Sequence, residues 1–174
     1  MLTGREITLA PLRDEDSADL FRWINDREQV LLNAAYKPVH EPDHRAWFDA
    51  VRRREDVVIF GIRTVDADEL IGSCQLLAID RAHGTAELQI RIAVPEARGR
   101  GRGSEAVSLL LAHAFGDLGL RRVQLAVFAT NEAALRTYEK AGFAREGILR
   151  RAVVIDGREQ DLVMMGILRG EFEA

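Results

Sequence analysis

Residues 94–106 read Val-Pro-Glu-Ala-Arg-Gly-Arg-Gly-Arg-Gly-Ser-Glu-Ala, and no other stretch constrains the fold as tightly. An alternating apolar run, Glu87 to Val94, leads into it, and a strongly helical run, Ser104 to Leu118, leaves it. Glycine lets a backbone approach a ligand closely, and the first amides of a helix lack intrahelical partners. A strand that ends in a glycine-rich loop and then opens a helix is an anion-binding device. The pattern predicts a diphosphate-bearing ligand held at the start of the helix at Ser104. The dinucleotide fingerprint fits poorly, because that motif opens a βαβ fold and has an acidic partner about 20 residues on. A phosphate-binding P-loop fails, because no Gly-Lys-Ser/Thr follows. The bland alternative is a flexible loop with incidental arginines.

The flanking patterns build a mixed α/β domain spanning 1–174. Arg5 to Leu12 reads as a strand, and Asp14, Glu15, Asp16 and Ser17 supply an acidic helix start ahead of Leu20, Phe21 and Ile24. Val30 to Val39 is irregular, and a second helix runs from about Asp43 to Arg54. Three strands follow as an antiparallel meander, Val57–Thr64, Leu70–Ile79 and Thr85–Val94. In the last of these, Ala86, Leu88, Ile90 and Ile92 share one face, while Glu87, Gln89 and Arg91 share the other. The helix after the glycines is capped by Gly119, and Arg122–Ala129 reads as a strand joined by a parallel crossover. Asn131 opens a further helix that Gly142 stops, and Asp156–Gly157 turns a final hairpin, Arg145–Leu168. The order β, α, α, β, β, β, α, β, α, β, β gives about seven strands and about four helices in one sheet.

Composition excludes several classes. Net charge is −4 with no basic tract beyond Arg52–Arg54, so nucleic acid is not expected as a partner. A single cysteine, Cys74, forbids an internal disulfide and points to a reducing, cytoplasmic setting. The start lacks a signal-peptide pattern and no apolar run is long enough to span a bilayer, so no membrane partner is expected. The His and Cys residues show no metal-ligand spacing, so no metal site is expected.

A second constellation is Asn-Glu-Ala-Ala-Leu-Arg-Thr-Tyr-Glu-Lys-Ala-Gly-Phe at 131–143. Asn131 and Tyr138 lie about two helical turns apart, hence on nearly one face. Singly, Asn131 reads as a plain N-cap and Tyr138 as a half-buried aromatic. Together with Arg98-x-x-Gly101-x-Gly103, in this element order, they closely resemble the GNAT superfamily of N-acetyltransferases. The resemblance is strongest from Leu70 to Leu168. The opening "DEDSADLFRWINDREQV" is similar to the ribosomal-protein-acetylating branch, and "AELQIRI" with "EGILRR…DG" to the spermidine and spermine acetyltransferases.

The resemblance implies an acetyl-CoA-dependent N-acetyltransferase with a central twisted mixed sheet that splays open at the acyl-CoA cleft. It implies that Arg98, Gly99, Arg100, Gly101, Arg102, Gly103 and Ser104 hold the pyrophosphate. Ile92, Ala93 and Val94 would pair with the pantetheine arm, with Asn131 and Lys140 as further cofactor contacts. Tyr138 takes the position of the general acid that protonates the departing thiolate. A backbone N–H near Val94 is expected to stabilise the oxyanion. Glu87, on the strand leading to the cleft, is the best candidate base, although it reads equally as a strand carboxylate paired with an arginine. His40, His44 and His83 read as solvated, His113 as packing and Cys74 as core.

The acceptor is expected to be a primary amine: a protein N-terminus, a polyamine, an amino sugar or another small amine. Trp23 or Trp47 is expected to line its site, with Glu28, Glu41 and Asp43 placed to attract a cation. The apolar final hairpin makes a homodimer plausible. The rival readings are a catalytically silent acyl-CoA-binding sensor and a nucleotide-phosphate-binding protein using the glycine loop alone.

Overall fold

The computed structural model describes residues 1–172, and its order of elements follows the sequence periodicities closely. Eight strands form one sheet in the order β1-β2-β3-β4-β5-β6-β8-β7, with five α-helices. The additional strand is β1, Leu2–Thr3, which pairs only through Leu2–Leu9 and Thr3–Thr8 with β2, Ile7–Ala10. Two residues carry too little alternation to be read from sequence. The additional helix, α2 at Arg27–Val30, is four residues long and is held by the Asp26 carboxylate accepting the Gln29 N–H at 3.2 Å.

Helix α1, Asp16–Ile24, starts where the acidic run predicts, but Asp16 turns inward. Its carboxylate accepts the Arg13 N–H at 2.7 Å and meets the guanidinium of Arg63, with both charges almost fully buried. Helix α3, Glu41–Val51, begins two residues before the expected Asp43, with Pro42 in its first turn.

The meander β3 (Val58–Thr64), β4 (Leu70–Asp80) and β5 (Thr85–Ile92) is antiparallel. A chain reversal through a 3₁₀ turn at Pro95–Ala97 leads to α4, Arg102–Ala112, which continues as a π-helical turn over His113–Asp117. β6, Arg122–Phe128, returns parallel to β5. α5, Glu132–Lys140, follows, and then the hairpin β7 (Ala144–Ile155) and β8 (Arg158–Leu168). That hairpin turns on Asp156 and Gly157, both at positive φ (49° and 73°), which matches the twist of the flanking strands. β8 inserts between β6 and β7, so the long strand β7 is left as a sheet edge.

The core divides between the two faces of the sheet. The larger cluster joins the strands to α4 and α5 through Val107, Leu110, Leu111 and Leu135. The smaller one, with Leu12, Leu20, Trp23 and Phe48, seats α1 and α3 on the other side. The parallel seam decides where a site can form. β5 and β6 pair only at Thr85–Arg122, Ala86–Val123 and Glu87–Gln124. Beyond Glu87 the two strands continue without pairing each other, and the sheet opens between them.

Candidate active site

The opening between β5 and β6 widens into a cleft of about 1080 Å3. Glu87, Gln89 and Arg91 line it from β5, Phe128 from β6 and Tyr138 from α5. Tyr138 belongs to the α5 side of the core and reaches the cleft where the strands part. The N-terminal helices and the irregular segment between them roof the cleft through Trp23, Leu32 and Trp47, and the hairpin end at Val153–Ile155 closes one side. Two contacts join roof and wall: Arg27 pairs with Asp156 at 2.5 Å, and Asn131 Nδ2 donates to the Leu32 carbonyl at 3.5 Å.

Tyr138 is 8% exposed, with its ring edge-on to Phe143 at 5.7 Å between centroids. Burial alone pushes its phenol up to about 12. The hydroxyl therefore stays protonated across the physiological range and remains available as a donor in the cleft. Glu87 stands at the last paired position of the seam. Its Oε1 accepts from Gln89 Nε2 at 3.2 Å, and Gln89 Oε1 in turn accepts from Gln75 Nε2 at 3.0 Å. This chain of amides fixes the carboxylate on the cleft face, without the arginine pairing that the sequence allowed.

The strand end behaves differently residue by residue. The N–H groups of Ala93 and Val94 both donate to the Ile71 carbonyl, at 2.8 and 3.2 Å. The Val94 amide is therefore spent on β4. Antiparallel ladders alternate the side to which backbone groups point. Since Ala93 points to β4, the amides of Ile90 and Ile92 point toward the opening that β6 has left. By this alternation the Ile92 N–H points into the neighbourhood where an oxyanion donor was expected. The Arg98 side chain folds back on this strand end, donating to the carbonyls of Ile92 at 2.9 Å and Ala93 at 3.2 Å.

The glycine loop carries the geometry of an anion cradle. Gly99 and Gly101 hold positive φ, 73° and 80°, a region that side-chain-bearing residues rarely adopt. Among the described residues, no acceptor bonds the backbone N–H of any residue from 99 to 104, and the first helical bond returns from Glu105 N to the Gly101 carbonyl. The helix opens at Arg102, two residues earlier than expected, which places Gly103 and Ser104 in its first turn. A Cβ built on Gly103 would sit 3.8 Å from Ile92 Cγ1, whose side chain lies on the face of β5 away from Glu87 and Arg91. A row of unpartnered amides at a helix N-terminus, beside a strand edge with free N–H groups, fits the diphosphate and the amide-rich arm of CoA.

Not every expected residue joins this arrangement. The loop arginines do not line the cleft: Arg100 and Arg102 border a separate depression of about 340 Å3 that includes Asp66 and Glu69. Lys140 is exposed at the C-terminal end of α5, outside the cleft lining. Asn131 is the N-cap of α5, with its Oδ1 accepting from Ala134 N at 3.1 Å. His44, read from sequence as solvated, is buried. Its Nε2 bonds the Ser17 carbonyl at 2.9 Å, so that nitrogen carries the proton and is committed to the fold. Cys74 lies in the core, where burial pushes its thiol up and keeps it un-ionised. Glu28, Glu41 and Asp43 stay on the outer surface and line no part of the cleft, while both tryptophans do. Arg91 was assigned no role by sequence, although the alternation of β5 had already placed it on the face of Glu87.

The sequence profile of the acetyltransferase (GNAT) domain family matches residues 6–144, and the chain belongs to that family. It is an N-acetyltransferase, and acetyl-CoA is its acetyl donor. It is similar to the spermidine N(1)-acetyltransferase of Escherichia coli K12, at 34% identity over 188 residues, covering 100% of this chain and 92% of that protein. It is also similar to an uncharacterized prophage-derived N-acetyltransferase, YokL, of Bacillus subtilis, at 27% over 172 residues, covering 98% and 94%. Among solved structures, the spermidine N-acetyltransferase of Vibrio cholerae in complex with CoA and spermine superposes with a TM-score of 0.88. That match has 28% identity and covers 95% of this chain and 97% of the other.

Proposed function

We propose that the chain acts as one domain over 1–174 and moves acetyl directly from acetyl-CoA to a primary amine, with both substrates bound together. The observation that carries this reading is the cleft itself, in which Tyr138 and Glu87 line one space at the point where β5 and β6 part. Bound there, acetyl-CoA supplies an activated acyl carbon and a thiolate leaving group. The unpartnered amides from Gly99 to Ser104 hold the diphosphate, and the inward N–H groups of Ile90 and Ile92 align the arm. Arg98 positions the strand end, whereas Arg100, Arg102 and Lys140 are the cations available to the CoA phosphates. Glu87 takes the proton that the ammonium must lose, directly or through water. The Ile92 N–H donates to the charge that develops on the acyl oxygen. Tyr138 protonates the departing sulfur. No side chain need form a covalent bond.

The acceptor is a small amine in this reading, supported by the polyamine-acetylating relatives and by the roof that Trp23, Leu32 and Trp47 place over the cleft. We place the enzyme in the cytoplasm, where Cys74 stays reduced and acetyl-CoA is available. We also infer that two copies associate through the exposed edge strand β7.

The test is release of free CoA from acetyl-CoA over a panel of primary amines. Tyr138→Phe is expected to lower kcat on the order of 100-fold or more while acetyl-CoA affinity stays near normal. Unchanged turnover would remove Tyr138 from the acid role, and failure to bind acetyl-CoA would overturn the whole assignment.

A further inference from the structure

The charge inside the cleft does not suit a polycation. Its lining includes one carboxylate, Glu87, and one guanidinium, Arg91. The remaining wall carries no further carboxylate or guanidinium: Trp23, Trp47, Phe128 and Val39 are prominent, and the imidazole of His44, bonded to the Ser17 carbonyl, also lines it. The acidic residues that could have attracted several ammonium groups, Glu28, Glu41 and Asp43, lie outside, and Glu41 is paired with Arg45 at 3.0 Å.

Arg91 is a cation without a counter-ion. No ion pair involves it among the described residues, and its single hydrogen bond is a long one, 3.4 Å, to the Trp23 carbonyl. Its charged neighbours are Arg98 and Asp26. Arg98 is fastened to the Ile92 and Ala93 carbonyls, and Asp26 is occupied by Gln29, accepting its backbone N–H at 3.2 Å and its side-chain amide at 2.7 Å. Two guanidiniums thus face one committed carboxylate. Burial and Arg98 both press on the Arg91 charge, which Asp26 only partly offsets. A half-buried guanidinium left this way is costly unless a ligand completes it. The unpartnered loop amides lie toward the other face of β5: a Cβ built on Gly103 would sit 3.8 Å from Ile92 Cγ1, and adjacent strand residues point to opposite faces.

We propose that Arg91 anchors a carboxylate of the acceptor, so that the amine acetylated here belongs to an amino-acid-like molecule with a compact apolar or aromatic body. Guanidinium and carboxylate match as a two-pronged pair, and such charge-assisted bonds are the strong ones. Trp23 and Trp47 cover the body, and Glu87, about 13 Å along the strand at the seam, is left unpaired by Arg91 and takes the amine proton through water. This inference rests on the reading above that the cleft receives the acceptor amine.

The test compares matched amines that differ only in the carboxylate: L-phenylalanine against phenethylamine and 6-aminohexanoate against hexylamine, with spermidine as the polycation. CoA release is expected to be at least about tenfold more efficient for the carboxylate member of one pair, the equivalent of one strong ionic contact. Arg91→Ala is expected to raise the KM of that acceptor about 10- to 100-fold, leave the KM of acetyl-CoA unchanged and erase the preference, while Arg91→Lys retains part of it. Equal efficiency within both pairs, spermidine as the best acceptor, or a raised acetyl-CoA KM in Arg91→Ala would overturn the proposal. Calorimetric titration of the same pairs reads the preference without turnover. Carboxylate-dependent binding without CoA release would leave Arg91 as the anchor and overturn the transfer reading instead.

Discussion

Tyr138 shows how burial tunes a single group. Its phenol is raised above the ordinary value of 10 to about 12 because the ring sits in the core while the hydroxyl meets the cleft. The sign of the stability effect follows from linkage. Below pH 10 the phenol is neutral in both the folded and unfolded chains, and its contribution is fully present. Between about 10 and 12 the unfolded chain ionises first, so stability falls as pH rises. Urea titrations at pH 9 and 11 are expected to show a larger loss in the wild type than in Tyr138→Phe. Asp16 and Arg63 make the opposite kind of site, two charges buried against each other at 3% and 5% side-chain exposure. Arg63→Ala leaves Asp16 unpaired in the interior and is expected to cost about 3–5 kcal/mol in a denaturant titration. A loss below about 1 kcal/mol would mean that water reaches the carboxylate.

At the level of elements, the loop from Gly99 to Gly103, proposed to hold the CoA diphosphate, takes its shape from backbone angles rather than side chains. A Cβ at Gly101 would meet nothing within 4 Å, so the requirement there is the φ of 80° alone. Gly101→Val is therefore expected to cost about 1–2 kcal/mol in stability, the price of a left-handed residue. It should also raise the acetyl-CoA KM at least several-fold as the amides turn away, with the amine KM unmoved. Steady-state kinetics with each substrate varied in turn distinguishes these outcomes. The same logic applies to β5, whose bonds to β6 stop at Glu87–Gln124. Its next residues keep strand geometry with no pairing to β6, which is the edge proposed to align the CoA arm.

For the whole molecule, the placement of β8 between β6 and β7 exposes twelve residues of β7 as an edge. Ile148 and Val154 are 60% and 59% exposed there, and Leu149 is 50% exposed. An apolar edge strand invites pairing with another chain. Sedimentation equilibrium is expected to return twice 19.5 kDa for the wild type and 19.5 kDa for an Ile148→Glu, Leu149→Glu variant. A monomeric wild type would remove the dimer.

Local chemistry made much of this legible in one dimension. Alternation in Thr85–Ile92 placed Glu87 and Arg91 on one face, helical spacing joined Asn131 to Tyr138, and Asp156–Gly157 turned the last hairpin. Each depends on neighbours within about two helical turns, which is the range over which backbone geometry is fixed by sequence. What lay beyond that range was decided by packing. Whether Asp16 faced water or Arg63, and whether His44 was solvated or held by Ser17, turned on residues 27 or more positions away. The same holds for Glu28, Glu41 and Asp43, which the fold of the first helices turns outward, away from the cleft. The sequence by itself determined the glycine loop and the helix that follows it, because positive-φ turns and a helix start are local backbone conformations. The charge of the cleft is a sum over side chains from six or more elements, and only the tertiary structure brings Arg91 and Glu87 into it while leaving Glu28, Glu41 and Asp43 outside.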